Sequence, residues 1–177
     1  MAKFISLFLL FPSFSLVCSV IKRETSIILD SLLVIVIIIF SFYLNKKVPV
    51  LKKNTFLAMM LFVLFSLFFG KTLNFYSIIP YWDKILHFTS GIIFARAGKE
   101  IYIKINGNKN IPLMILFVIM FASSISGLWE IWEFSSDLIL KTNAQNNSLF
   151  DTMIDMILGN LGGIIYLILF KIKNSRV

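Results

Sequence analysis

Six long, predominantly apolar stretches constrain the fold of this chain more than any other feature. Crossing the hydrocarbon core of a bilayer takes about 20 apolar residues in a helix. The 177-residue chain is 58% hydrophobic and only 15% charged, whereas a soluble domain of average composition is about a quarter charged. The sequence therefore predicts one all-α, multi-pass transmembrane domain over 1–177, with six spans at about 4–20, 26–44, 55–70, 83–103, 111–138 and 151–171.

The first stretch allows two interpretations. It is short, contains Pro12 and follows Lys3, as a secretory signal peptide would. It is not followed by a small-x-small cleavage site, which favours a retained span. Cys18 is the single cysteine, so an internal disulfide is excluded, and its apolar surroundings indicate a core position.

Lysine and arginine residues set the expected orientation, because cytoplasmic loops of membrane proteins carry more of them. If the N-terminus lies inside, only five of the 17 basic residues lie outside, and both termini are cytoplasmic. The basic residues flank the spans, so the net charge of +8 indicates insertion into a bacterial cytoplasmic membrane rather than nucleic-acid binding. The outer group is Lys22, Arg23, Lys71, Lys84 and Lys141.

Polar residues mark the outer end of the fourth predicted helix. It begins with Asp83 and Lys84, and His87, the single histidine, follows four residues after Asp83 on the same helical face. At about 1.5 Å per residue, His87 lies about 6 Å inside the end of the helix. A nearby carboxylate favours the protonated imidazole and fixes its tautomer, so His87 suits acid–base chemistry or metal binding.

The fifth predicted helix ends in an acidic stripe. Glu130, Glu133 and Asp137 are spaced three and four residues apart, so they share a face and repel one another. They also lie at a helix C-terminus, where the helix dipole disfavours negative charge. Carboxylates at membrane depth usually face a partner, a cavity or an ion. We therefore expect a cation beside Glu130: Lys84, protonated His87 or a bound metal.

The sixth predicted helix begins with two more acids. Asp151 and Asp155 are four residues apart, and Asn160 lies deeper in the same helix. Ser148 and Asp151 form a capping-box pattern, which offers a purely structural explanation for Asp151.

Small residues recur at intervals of four in these same three helices, a spacing that lets helix backbones approach closely in lipid. We expect the last three helices to form a polar core, with the second and third spans as lipid-facing packing. The pairs are Gly91 with Ala95, Ser123 with Gly127, and Gly159 with Gly163.

The motif-bearing region, residues 80–170, resembles the VanZ-like membrane proteins and is most similar to their YjdF-like branch. The resemblance implies a multi-pass helical fold with a shared polar site, but no specific reaction. One departure is Glu133, which stands where the family tends to have Gln, and the following loop lacks the Arg of the family. The matching pattern is Asp83-Lys84-x-x-His87, Glu130-x-x-Glu133, and Asp151 through Asp155 and Asn160 to Gly163.

These residues support three hypotheses. In the first, an outward-facing site uses a divalent cation to process a lipid-linked envelope substrate, since hard cations prefer oxygen ligands. In the second, the site binds or transports a cation or ligand without catalysis; in the third, the protein is a structural subunit. The chain has no established catalytic motif, so the sequence does not decide whether the protein is an enzyme. The predicted catalytic and metal-binding residues are His87, Glu130, Asp83 and Asp155, and the predicted binding residues are Lys84, Glu133, Asp137, Asp151 and Asn160.

Overall fold

A computed structural model describes residues 2–107, 110–141, 143–145 and 148–174. Lys109 and Arg176, which the orientation count places on the cytoplasmic side, lie outside these ranges. The described residues are almost entirely helical, without a β-strand among them, so the predicted all-α fold is confirmed. The helices are α1 (Ala2–Lys22), α2 (Thr25–Lys47), α3 (Lys53–Val63), α4 (Phe75–Ile78), α5 (Trp82–Asn106), α6 (Ile111–Leu140) and α7 (Leu149–Asn174), and a π-helical segment, Leu64–Thr72, continues α3.

Every predicted span coincides with a helix, and five of them are long and apolar enough to cross a membrane. The multi-pass prediction is therefore confirmed. The five candidate spans are Phe4–Lys22, Thr25–Lys47, Lys53–Thr72, Ile111–Ile139 and Leu149–Ile172.

Helix α5 is long enough to span but differs from the other five in composition. Its charged residues lower its hydropathy, and between Trp82 and Ile103 only Ile85 is exposed. A helix covered by protein can carry polar groups at membrane depth because they do not face lipid. That α5 crosses the bilayer stays a prediction. The location of both termini in the cytoplasm depends on it and stays a prediction too.

The chain forms two compact units, and the first comprises Met1–Asp83. Helices α1 and α2 pack together, and Ser31 Oγ donates to Ser15 Oγ at 3.2 Å. Whether the first helix is retained or cleaved stays a prediction. One face of α2 and one face of α3 are buried in an apolar core, although we expected both spans mainly as lipid-facing packing. The core residues are Phe8, Val34, Ile38, Phe42, Phe56, Met60, Leu64 and Phe68.

The π-helical segment positions an ion pair between Lys71 and Asp30. The widened turn is visible in the bond from Leu73 N to Phe68 O, 2.9 Å long and five residues back. Lys71 Nζ lies 2.8 Å from Asp30 Oδ1 of α2. The Lys71 side chain is 55% exposed, so this pair lies at the surface of the unit.

The second unit, Lys84–Val177, contains most of α5 together with α6 and α7. Its packing depends on glycine. A Cβ atom at Gly91 would overlap the Gly159 carbonyl, and one at Gly162 would overlap the Phe88 carbonyl. The backbones of α5 and α7 are therefore in direct contact, as the small-residue spacing predicted. Gly127 differs, because a Cβ there would meet only the flexible Met156 Cε at 3.8 Å.

Candidate functional site

A lysine bridges two carboxylates where α5 and α7 begin. Lys84 Nζ lies 2.5 Å from Asp151 Oδ1 and 2.7 Å from Asp155 Oδ2. The two acids share a face of α7 because they are four residues apart, so one ammonium group reaches both. The side chain of Asp155 is only 2% exposed. Lys84 thus supplies positive charge directly to a buried acid.

A histidine–glutamate pair lies beside this bridge. His87 Nε2 of α5 is 3.5 Å from Glu130 Oε1 of α6, and both side chains are 5% exposed. His87, Glu130 and Asp155 each offer one ligand atom, and these three atoms lie within 4.8 Å of one another. Three helices therefore bring three buried, potentially metal-ligating groups to one point. We call these residues the buried triad.

Asp83, the remaining predicted ligand, ends the first unit. It lies in the first turn of α5, one turn before His87. Asp83 and His87 are therefore one turn apart in the same helix, as the sequence predicted.

The acidic stripe of α6 is divided among three tasks. Glu130 faces His87, whereas Glu133 Oε1 accepts a hydrogen bond from Trp129 Nε1 at 2.8 Å. Asp137 accepts from the backbone amides of Ala144 and Gln145, at 2.7 and 3.0 Å. These amides compensate the negative charge that the helix dipole disfavours at a C-terminus. Asp137 thus organises the α6–α7 connection and has a structural role that the sequence did not indicate.

Two of the predicted polar residues of α7 also have structural contacts. Ser148 Oγ accepts from the Asp151 amide at 3.2 Å, which confirms the capping interaction. Asn160 Nδ2 donates to Met156 O at 2.7 Å, and Ser123 Oγ donates to Asn160 Oδ1. Asn160 therefore links α7 to α6 through a hydrogen bond at membrane depth.

Sequence reasoning missed two residues of this region, Ser126 and Gln145. Ser126 is 5% exposed and lies one turn inward from Glu130, with its hydroxyl against Gly159. Within the described part of the chain, its Oγ has no hydrogen-bond partner. Gln145 Nε2 donates to the Glu130 carbonyl at 3.3 Å. The spacing of Ser126 from Glu130 could have pointed to it, but no motif marks Gln145.

A groove runs along α6 and α7 on the side of Glu130, and we call it the α6–α7 groove. Its volume is about 720 Å³, within the range of ordinary small-molecule sites. Glu130 belongs to its lining and also to the buried triad. The groove and the triad are therefore neighbouring parts of one region.

The donor set of the buried triad fits a divalent cation. One imidazole nitrogen and two carboxylate oxygens are ligands that zinc and similar ions accept, with further positions left for water or substrate. Zinc ligands at about 2 Å from the metal lie about 3.3 Å apart in a tetrahedron. Side chains up to 4.8 Å apart would therefore need small rotations to bind one ion.

Comparison with known proteins gives a family but no described activity. The family described as "Predicted membrane protein (DUF2238)" matches residues 4–176. An uncharacterised protein of Thermotoga maritima is 36% identical over 94 residues, which are 52% of this chain and 49% of that relative. The match thus spans about half the length of the relative. No solved structure matches the chain.

Proposed function

The chain belongs to the DUF2238 family of membrane proteins, and from this premise we propose that its second unit binds a divalent cation in the buried triad. The site would face the outside of the bacterial cytoplasmic membrane and would use the cation to process a lipid-linked envelope substrate. The observation that carries the proposal is the proximity of His87, Glu130 and Asp155, which are 5%, 4% and 1% exposed.

The charges in this region favour a bound cation. Lys84 faces two acids, Asp151 and Asp155, and Glu130 adds a third. Taking charged groups out of water is costly, and most of all in a membrane, so a buried group of acids is stabilised by each positive charge placed among them. A divalent cation at the triad would add two such charges.

Ser126 supports the same proposal independently. A buried hydroxyl usually finds a hydrogen-bond partner, because leaving it unsatisfied costs about 1–3 kcal/mol. Ser126 Oγ is without one among the described residues and lies one turn inward from Glu130. Water bound to an ion in the triad would provide that partner.

Residues of the chain would have distinct roles in this chemistry. A metal at the triad supplies a Lewis acid that polarises a phosphoryl or carbonyl oxygen. Lys84 would hold Asp155 in a fixed orientation through its 2.7 Å contact. His87 and Glu130, whose Nε2 and Oε1 lie 3.5 Å apart, would hold the metal together with Asp155. This arrangement suits hydrolysis or group transfer at a phosphate-bearing headgroup.

The helices are closely packed inward of the triad. This packing favours a site that opens on one side of the membrane rather than a transport pathway that crosses it. Gly159, Gly163 and Gly91 bring α5 and α7 into backbone contact, and Ala95 is fully buried beside Gly163. A hydrated path would need space where these backbones touch. The alternative is that the site binds a cation without catalysis. We also propose that the chain is related to the VanZ-like and YjdF-like proteins, and the pattern Asp83-Lys84-x-x-His87 supports this kinship.

Metal analysis of the detergent-purified protein tests this proposal. We expect about one Zn²⁺ or Mn²⁺ ion per wild-type chain, and loss of that ion in Glu130→Gln and His87→Ala. Glu100→Gln is the matched control, because Glu100 is a 9%-exposed acid of the same unit that pairs with Arg96. Metal that is absent from the wild type, or that Glu130→Gln retains, would contradict the cation site.

A further inference from the structure

The α6–α7 groove has features that a cation site alone does not require. Its walls include Ile131, Phe134 and Leu138 of α6, and Leu149 of α7. These side chains are 61%, 57%, 61% and 74% exposed, although each is apolar. In a bilayer, such a surface lies open to acyl chains from the side.

The outer end of the groove is polar and carries a positive charge. Lys141 ends α6 in the left-handed conformation, with φ at 57°, and its side chain is exposed. The neighbouring acid, Asp137, already accepts from two backbone amides. Lys141 is therefore the group in this lining that an anionic headgroup would meet first. Ser148 and Thr152 add hydroxyl groups on the α7 side.

The inner wall of the groove leads to the buried triad through Glu130. Lys141 follows Glu130 by 11 residues, about 16 Å along the helix axis at 1.5 Å per residue. An amphiphile with its acyl chain along Ile131, Phe134 and Leu138 would therefore hold its headgroup at Lys141, outward of the triad. The sign of the headgroup follows from Lys141.

We propose that the α6–α7 groove binds one anionic, phosphate-bearing lipid that enters sideways from the bilayer. Its acyl chain lies along Ile131, Phe134 and Leu138, and its phosphate lies against Lys141. This lipid site uses the apolar groove and Lys141 and does not require the cation of the proposed function. A helix of a second copy would also cover the apolar wall, and the oligomeric state of the variants identifies that case.

Binding of a short-chain lipid to the full-length protein in detergent tests this inference. The probe is dioctanoyl phosphatidic acid, titrated calorimetrically with Zn²⁺ present, and dioctanoyl phosphatidylcholine is the headgroup control. We expect one phosphatidic acid per chain and at least tenfold weaker binding in Ile131→Trp, which fills the groove. Leu128→Trp is the matched control, since Leu128 is a 59%-exposed residue of the same helix outside the groove lining, and it should bind as wild type does.

Lys141→Gln tests the headgroup contact separately. It should weaken phosphatidic acid about tenfold and leave phosphatidylcholine unchanged, because only the anionic headgroup uses the ammonium. Equal binding of both lipids to the wild type, or equal binding by Ile131→Trp and Leu128→Trp, would overturn the inference. So would a wild-type dimer that Ile131→Trp dissociates, since a second copy would then occupy the groove.

Metal content measured on the same samples separates the two proposals. Bound metal without a preference for phosphatidic acid contradicts the lipid site and leaves the cation site standing. Preference for phosphatidic acid that depends on Lys141 and Ile131 in metal-free protein supports the lipid site and contradicts the proposed function.

Discussion

The two units of this protein are held together by opposite means. In Met1–Asp83, eight large apolar side chains form the buried core, and Phe42 and Phe56 meet edge to face at 4.9 Å. In Lys84–Val177, the buried apolar cluster is smaller, and glycines bring α5 and α7 into backbone contact. The second unit also buries Glu130 and Asp155, at 4% and 1% exposure. Among the residues that the structure describes, the buried side chains of the first unit are uncharged, whereas the second unit buries carboxylates.

This difference indicates where function lies. Replacing buried ionic groups with apolar residues is often neutral or stabilising, so such groups add little to stability. Stability alone therefore does not explain why the second unit contains buried ionic groups. The first unit shows that the same chain can form an apolar core. We therefore propose that Lys84–Val177, the unit that buries acids, carries the function.

The largest expected effect comes from removing the lysine of the second unit. Lys84→Met takes the ammonium away from the buried Asp155 and should lower the free energy of unfolding by about 3–5 kcal/mol. Lys71→Met is the matched change in the first unit, where the 55%-exposed Lys71 pairs with Asp30, and should cost less than about 1 kcal/mol. Denaturant unfolding in detergent micelles measures both. Equal losses in the two variants would erase the contrast between the units.

A glycine substitution should have the next largest effect. Gly162→Ala would place Cβ on the Phe88 carbonyl and push α5 and α7 apart, at a cost of about 3 kcal/mol. Gly127→Ala is the control, because its Cβ would meet only Met156 Cε at 3.8 Å; we expect a change below about 1 kcal/mol. Thermal unfolding is followed by the fluorescence of Trp129 and Trp132 in a Trp82→Phe background, because Trp82 belongs to the first unit. A Gly162→Ala protein as stable as Gly127→Ala would show that close backbone contact is not what holds α5 to α7.

The smallest effect should come from hydroxyl groups between helices, which both units contain. Ser31→Ala removes the 3.2 Å bond to Ser15 in the first unit, and Ser123→Ala removes the bond to Asn160 in the second. Interhelical hydrogen bonds in membrane proteins contribute about 0.6 kcal/mol on average, so the two losses should be similar. The same unfolding assay applies. A much larger loss for Ser123→Ala would mean that the contrast between the units extends beyond charge and glycine packing.

The helices were predictable because hydropathy and length determine them directly. The approach of α5 to α7 was also predictable from Gly91, Gly159 and Gly163, because small residues four apart have few other uses in lipid. Helix α5 differs from the other spans in composition. It is largely covered by protein from Trp82 to Ile103, so it does not need an apolar surface.

Partner choice within the polar region was harder to predict. Lys84 was one of three expected cations for Glu130, and its contacts with Asp151 and Asp155 were not foreseen. Asp137 binds loop amides that follow it by seven and eight residues, and helical periodicity cannot describe such contacts. Spacing assigns residues to a face of a helix, whereas the choice among neighbours on that face depends on side-chain geometry.

The π-helical segment Leu64–Thr72 makes the number of residues in the chain as important as their identity. Each of its bonds reaches back five residues rather than four, so the segment stores an extra residue within its turns. Deleting a single residue there would remove the extra residue and restore ordinary α-helical winding, with little rotation of the residues that follow. The same deletion in an ordinary α-helix rotates everything after it by about 100° about the axis. We expect this part of the gene to accept an in-frame deletion of one codon more readily than the neighbouring α-helices do.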